Sequence, residues 1–368
     1  MKVVVTGAHG FLGWHLRCRL KAMYDHEVVA VGRGNDLSAA VRGADAVIHL
    51  AAVNRGSDDE LSDGNVALAD AVVKALRESV SAPRVVFANS IRAGDGTPYG
   101  DGNAGASHLL RDAAKAQGWP FIDVELPNLF GEHGRPGYNS FVATFCHEVA
   151  AGREPQVSDN LIELLHAQDA AQLLIDGLEG GPRIDRPRGE PHGVVEVLDL
   201  IRAFDATYRS GAFPSLESAF EADLFNTYRS AAVESHPTIR LERRTDPRGA
   251  LVEAVKAHGG GGQTFFSTTL PGATRGDHFH LRKVERFVVI GGQARIRLRR
   301  LFTDDVRTLD VSGDVPVAVD MPTMWAHDIT NTGDSELLTL FWTDSVFDPD
   351  HPDTYPEPVA IDGTEVAT

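Results

Sequence analysis

Over the first part of the chain, short apolar runs alternate with stretches of helical period, the pattern of parallel strands joined by crossover helices. The runs at Lys2–Thr6, Glu27–Val31, 46–50, 84–88 and 121–125 are short and mostly rich in Val or Ile, as strands covered on both faces are. Helical patterns lie between them, for example at 11–21 and 66–79. From about residue 127 to about 230 helices mix with loops, including a Pro/Arg/Gly-rich stretch at 180–193, and this region reads as a substrate-covering subdomain. Beyond about 234 the texture changes. Gln263–Thr269, 286–290, 294–298 and 337–342 are strand-like, Pro-Gly and Gly-Gly mark turns, and no long amphipathic helix appears. A glycine run at 258–262 reads as a hairpin turn. The pattern therefore predicts an α/β domain over 1–235 and an all-β domain over 236–368, with no solenoid repeat.

Composition agrees with two ordinary globular cores: 368 residues, 42% hydrophobic and 24% charged. The net charge of −17 argues against nucleic acid as partner, since a phosphate backbone needs a basic footprint. It does not exclude an anionic small ligand held by a few placed arginines. Cys18 and Cys146 are too few for a disulfide framework and fit a reducing compartment. No apolar stretch approaches bilayer length, and Met-Lys leads straight into a strand pattern without a signal-like segment. The expectation is a soluble, cytoplasmic protein with no membrane partner.

Thr6-Gly7-Ala8-His9-Gly10-Phe11-Leu12-Gly13 follows the first strand pattern and opens a helical one. Glycines there permit a tight turn and close approach of a pyrophosphate to the helix N-terminus, whose unpaired N–H groups favour anions. The context is that of a Rossmann dinucleotide-binding domain. Where an acidic residue would bind a ribose 2′-hydroxyl, the second strand ends in Val31-Gly32-Arg33. Arg33 either takes a 2′-phosphate, favouring NADP(H), or is a solvated strand-end charge.

The Thr-Gly-x-x-Gly-x-x-Gly pattern resembles the extended short-chain dehydrogenase/reductases. Further matches are His49-Leu50-Ala51-Ala52 on the fourth-strand side, Asn65 opening a helix, and Ser90 after its strand. The resemblance implies that Gly7, His9, Gly10, Phe11, Leu12, Gly13, Leu50 and Ala51 line the dinucleotide. It also implies that Ser90 and Tyr99 bind the reacting oxygen, with Tyr99 as acid or base. The family's Lys, four residues after the Tyr, is replaced here by Asn103. Asn can bond a ribose hydroxyl but brings no charge to a phenolate, and a phenol near pKa about 10 is poorly matched to neutral proton transfer.

In the second half stand Gly272, His278-Phe279-His280, Glu285 and Gly292, then Pro322-Thr323-Met324-Trp325-Ala326-His327 with Asn331. These resemble the two cupin motifs, with Met324 where glycine is usual. Strand alternation puts His278 and His280 on one face, and Glu285 and His327 come from neighbouring strands. Three imidazoles and a carboxylate suit Zn, Fe, Mn or Ni. Asp246-Pro247-Arg248-Gly249 resembles the Asp-x-Arg-Gly segment of cupin-fold nucleotide-sugar epimerases, where the Arg contacts phosphate; a plain turn is the alternative.

Nearly the whole chain resembles the bifunctional capsular-polysaccharide enzymes of the CapF type. The match rests on Gly7–Gly13, Val53-Asn54-Arg55, Pro127-Asn128-Leu129-Phe130-Gly131, Tyr138-Asn139-Ser140, the His278–Phe287 segment with Lys283, and Phe347-Asp348-Pro349 to Tyr355. Leu281 departs from it, standing where the family usually has another His. The resemblance implies a zinc cupin that inverts C3 of a UDP-linked 2-acetamido-6-deoxy-4-ketohexose, and a reductase domain that then reduces the C4 ketone with NADPH. A C4 carbonyl acidifies the C3 proton, and a metal stabilises the enolate oxygen. A cluster histidine that does not ligate, or Lys283, is the candidate acid/base. Arg55, Asn128 and Arg248 are candidate substrate contacts. Two further readings stay open: an epimerase that keeps the dinucleotide only as a structural element, and a non-catalytic scaffold that binds both ligands. Homodimerisation is expected from the resemblance.

Overall fold

The computed structural model describes residues 1–79, 82–247, 249–259 and 261–360. The chain forms two compact units, one of Met1–Ser140 with Ser158–Val194 and one of Phe141–Val157 with Val195–Thr368. Among the described residues no helix is long and apolar enough to cross a membrane.

The first unit is built on six parallel strands, in the order Glu27–Val31, Lys2–Thr6, Ala46–His49, Arg84–Ser90, Phe121–Leu126 and Arg183–Asp185. Their apolar runs are continuous because both faces are covered. Val4, Val47 and Val85 pack with Val72 and Leu110 on one face, while Val3, Val5, Ile48 and Val86 pack with Leu16 and Leu174 on the other. The strand order reverses between Lys2–Thr6 and Ala46–His49. In open α/β sheets the crevice beyond the carboxyl ends of strands at such a reversal holds ligands.

Helix Asp58–Glu78 starts earlier than its apolar pattern suggests, because Ser57 and Glu60 form a capping box. Asn65, expected to open this helix, lies inside it and bonds both backbone groups of Val53. The neighbouring helix Pro98–Gln117 approaches closely: a Cβ on Gly102 would stand 2.4 Å from the Leu61 carbonyl oxygen. Three short strands, Asn128–Phe130, Leu161–His166 and Glu190–Gly193, form a separate small sheet.

In the second unit two antiparallel five-stranded sheets share one core. The first runs Ile239–Arg240, Val317–Met321, Glu285–Gly291, Leu337–Thr343, Gln263–Thr269. The second runs Val306–Ser312, Gln293–Arg300, Trp325–Asn331, Thr274–Phe279, Tyr355–Pro356. Phe287, Val319 and Phe341 of the first meet Ile296, Leu298 and Ile329 of the second in a single buried cluster. The expected all-β region is present, and among the described residues no helix follows Ser235. The run at 258–262 includes Gly260, which lies outside the described residues, and the strands on either side of it do not pair with each other. It leads from Lys256–Ala257, paired in parallel with Ala212–Phe213, to Gln263–Thr269 in another sheet.

Nor does the contact boundary fall at residue 235. Helices Phe141–Ala150, Val194–Arg209 and Ala219–Ser235 pack mainly with the β-rich unit, so the expected substrate-covering subdomain is shared out between the two units. A buried polar network explains this. The Arg286 guanidinium makes a fork to both Asp320 oxygens at 2.6 and 2.8 Å, donates to the Gly211 carbonyl, and lies 4.3 Å from the Phe213 ring centroid. Tyr208 donates to Asp320 at 2.7 Å, and Arg229 donates to the Met321 carbonyl. Phe213 stacks on Trp342 at 4.3 Å. Charges buried this fully need partners from both helix and sheet.

Asp320→Ala leaves the Arg286 guanidinium buried and unpaired, and we expect a loss of about 3–5 kcal/mol. An Arg286→Met/Asp320→Leu pair should lose much less. Urea unfolding followed by tryptophan fluorescence measures both.

Candidate functional site

The loop after Lys2–Thr6 is shaped by close backbone approaches. Gly7 has φ +67, and a Cβ there would stand 2.7 Å from the Ala51 nitrogen and 2.8 Å from the Leu50 carbonyl carbon. Thus Leu50 and Ala51 border the glycine loop, at the end of the third strand in chain order. A Cβ on Gly13 would meet the Gly7 oxygen at 2.3 Å. Helix Phe11–Met23 is N-capped by Gly10, no side chain caps it, and its first turn carries no acidic residue. Those N–H groups can therefore receive an anion. His9 packs against Gly32, and Arg33 stands exposed just beyond Glu27–Val31. Thr6 ties the crevice floor together, its hydroxyl 2.6 Å from His49 Nδ1 and accepting from the Leu50 and Ala51 N–H groups. Burial pushes the His49 imidazole down to about 4, so it is neutral. This is a cradle that fits a dinucleotide pyrophosphate.

Ser90 ends its strand and accepts from the Arg92 N–H, and Tyr99 lies in the first turn of helix Pro98–Gln117. The Arg92 guanidinium stands 5.8 Å from the Tyr99 ring centroid and is paired with Asp95 at 2.8 Å. Asn103 is buried and spends its side-chain amide on the Tyr99 carbonyl at 2.7 Å, one helical turn back. Arg55 donates to Asn139 at 3.2 Å. Asn128 is exposed and donates to the Glu163 carbonyl at 3.4 Å. Arg248 lies outside the described residues.

In the second unit His278, His280, Glu285 and His327 converge, each offering one ligand atom within 4.8 Å of the others. Glu285 Oε2 lies 3.8, 3.1 and 3.3 Å from the Nε2 atoms of His278, His280 and His327. His278 and His327 are direct cross-strand partners, after a bulge at Gly276 in which Asp277 takes φ +55. Glu285 arrives from the other sheet. The Nδ1 atoms of His280 and His327 lie 2.6 and 3.1 Å from the carbonyl oxygens of Asp353 and Trp325. Carbonyls only accept, so each Nδ1 carries a proton, and in the neutral form of either ring Nε2 is left with a lone pair towards Glu285. Lone pairs aimed at a carboxylate oxygen need a cation or a proton between them. The donor set fits a divalent metal. Burial, chiefly, pushes His327 down to about 4, the neutral form a ligand needs. Met324, at the usual glycine position, has φ +61 and donates its N–H to the His280 carbonyl at 2.6 Å, which shows why that turn favours glycine.

The cluster opens on a cavity of about 590 Å³, lined also by Arg275, Arg282, Lys283, Asp344, Phe265 and Phe347. Lys283 Nζ is held on the Pro352 carbonyl and the Thr354 hydroxyl at 3.1 and 2.8 Å. Sequence reasoning missed Asp353 as a site residue. Its carboxylate accepts from the backbone N–H groups of Leu281, Arg282 and Lys283 at 2.9, 3.0 and 2.7 Å, and its carbonyl orients His280. The only signal was the Pro352-Asp353-Thr354-Tyr355 string. Arg275 and Asp344 carried no signal; burial raises the Asp344 carboxyl above its ordinary value.

The family described as NAD dependent epimerase/dehydratase matches residues 3–182, and the Polysaccharide biosynthesis C-terminal domain matches 244–355. The UDP-2-acetamido-2,6-beta-L-arabino-hexul-4-ose reductase of Pseudomonas aeruginosa is 33% identical over 365 residues, covering 96% of this chain and 98% of its own. The capsular polysaccharide assembling protein CapF of Staphylococcus aureus is 34% identical, with 98% of this chain and 100% of that one covered and a TM-score of 0.64. A UDP-N-acetylglucosamine 4-epimerase of Methanobrevibacter ruminantium shares the fold alone, at 15% identity and a TM-score of 0.54 over 63% of this chain and 98% of that one.

Purified protein dialysed against trace zinc should retain about one divalent ion per chain. His327→Ala and Glu285→Gln should each weaken retention at least about tenfold. Elemental analysis after dialysis reads the result.

Proposed function

The chain belongs to the family of CapF and of the Pseudomonas reductase, and from that premise we propose that it is a nucleotide-sugar-modifying enzyme of polysaccharide biosynthesis with two activities. The β-rich unit, a cupin-type barrel in this reading, epimerises C3 of a UDP-linked 2-acetamido-6-deoxy-4-ketohexose. The α/β unit reduces the C4 ketone with NADPH. The observation that carries the reading is the convergence of three imidazoles and one carboxylate beside a sugar-sized cavity, which His278, His280 and Glu285 line together with Arg275, Arg282 and Lys283.

His278, His280, Glu285 and His327 are the residues that would hold the cation, with zinc the ion the resemblance implies. When bound, the cation supplies an electrophile for the oxygen that gains charge as the C3 proton leaves. Lys283 is the proposed proton carrier at the wall, its ammonium fixed by Pro352 and Thr354. Arg275 and Arg282 suit the diphosphate. Phe265, stacked on Phe341 at 4.9 Å, offers an apolar surface to the sugar or base.

In the α/β unit Gly7, Gly10 and Gly13 would admit the pyrophosphate, and Arg33 a 2′-phosphate. NADPH, when bound, supplies hydride to C4. Ser90 and Tyr99 would orient the ketone oxygen, and Tyr99 would give it a proton. A second reading, epimerase alone, is favoured by one observation. Asn103 is turned into its own helix and supplies no charge at the position where the family has its Lys.

Metal-replete protein incubated in D₂O with the 4-keto nucleotide sugar should incorporate solvent deuterium at C3. No exchange would refute the epimerase. With NADPH added, steady cofactor oxidation removes the epimerase-only reading, and none removes the reductase. If the missing cation limits the parent, Asn103→Lys should raise the oxidation rate by about tenfold or more.

A further inference from the structure

A phenol gives up its proton near neutral pH only with positive charge at hand, and at position 103 an amide stands in place of that charge. The loop before the helix supplies one instead. Arg92 lies between strand Arg84–Ser90 and helix Pro98–Gln117, with its Cζ 5.8 Å from the Tyr99 ring centroid. Among the described residues no other cation stands against that ring, and no protein group hydrogen-bonds the Tyr99 hydroxyl.

Arg92 is held in place from both ends. Its backbone N–H donates to the Ser90 hydroxyl at 3.2 Å, and its carbonyl accepts from the Asp95 N–H at 3.0 Å. Its Nε donates to Asp95 Oδ2 at 2.8 Å and its Nη2 to the Thr97 hydroxyl at 3.2 Å, the same hydroxyl that caps the helix bearing Tyr99. Nη1 has no protein acceptor among the described residues. Glycines let the loop lie this close. Gly94 and Gly96 both take φ +79, and a Cβ on Gly100 would collide with the Arg92 carbonyl oxygen and with Asp95 Oδ1. One residue thus meets Ser90 through its backbone and Tyr99 through its side chain. The charged side chains that flank this turn are otherwise acids: Asp95, Asp101 on the same helix, and Asp58, Asp59, Glu60 and Asp63 on the helix packed against Gly102. Each of these opposes a phenolate, and Arg92 favours it.

We propose that Arg92 is the positioning residue that takes over from the family's Lys: its guanidinium, anchored by Asp95 and Thr97, stabilises the negative charge that Tyr99 acquires in ketone reduction. This rests on the reductase half of the two-activity reading and deepens it. As hydride from NADPH reaches C4, the Tyr99 O–H bond breaks and its proton goes to the ketone oxygen, which becomes the C4 hydroxyl. The electron pair of that bond stays on Tyr99, and its charge spreads into the ring that Arg92 faces.

The test is carbon-13 NMR of the full-length protein with its six tyrosines labelled at Cζ, the Tyr99→Phe variant identifying the Tyr99 signal. Arg92→Gln, checked for folding by circular dichroism, should raise the titration midpoint of Tyr99 by about 0.5 pH unit or more. In NADPH oxidation at pH about 7, Arg92→Gln should lower kcat about tenfold with little change in KM, while Arg92→Lys, still charged there, keeps most of the rate. Asn103→Lys should restore the rate of Arg92→Gln yet change the parent by less than about twofold, because the parent already has its cation. A Tyr99 midpoint that is the same with and without Arg92 would overturn the proposal, as would an Asn103→Lys gain equal in both backgrounds. A midpoint that moves with Arg92 in a protein that never oxidises NADPH upholds the Arg92–Tyr99 coupling and contradicts the reductase reading alone.

Discussion

Three imidazole nitrogens facing one carboxylate oxygen, inside a protein, form an arrangement that is stable only when something positive sits among them. In the β-rich unit the surrounding structure serves to hold that arrangement. His278 and His327 are fixed opposite each other by strand pairing, Glu285 reaches them from the facing sheet, and the bulge at Gly276 sets the register of the two. Asp353 then crosses from a segment far along the chain. Its carboxylate pins the backbone at 281–283 and its carbonyl fixes the His280 tautomer. The same contacts place Lys283 at the cavity wall, so the His/Glu cluster and the Lys283 ammonium group's neighbourhood are set by one strap.

Behind that strap stands the Arg286–Asp320 pair with Tyr208 and Arg229. It welds the helices before Ser235 to the strands that carry Glu285 and the turn before His327. Arg286 is the residue next to Glu285. A buried fork at that point fixes the strand on one side, while the His/Glu cluster occupies the other. This is the physical reason that helical sequence from the middle of the chain folds with the β-rich unit.

What could be read from the sequence followed from locality. The strands of the α/β unit were legible because burial on both faces leaves continuous apolar runs, and the glycine loop because its neighbours in sequence are its neighbours in space. The convergence of the His/Glu cluster was legible because strand alternation brings His278 and His280 to one face. The start of helix Asp58–Glu78 was not, since its first turns are acidic and held by the Ser57 cap rather than by apolar packing. The packing of the middle helices with the β-rich unit was hidden for a different reason: Arg286 meets Asp320 and Gly211 across long sequence gaps, which no local pattern records. Asn103 was noticed as a missing charge, but its back-bond to Tyr99 becomes visible only in three dimensions.

The central requirement is that His278, His280, Glu285 and His327 together bind a cation. X-ray absorption at the zinc edge of the zinc-loaded protein tests this most directly. It should show a first shell of nitrogen and oxygen only, with the outer-shell scattering of three imidazoles. A spectrum with fewer imidazoles, or a fully hydrated ion, would contradict it.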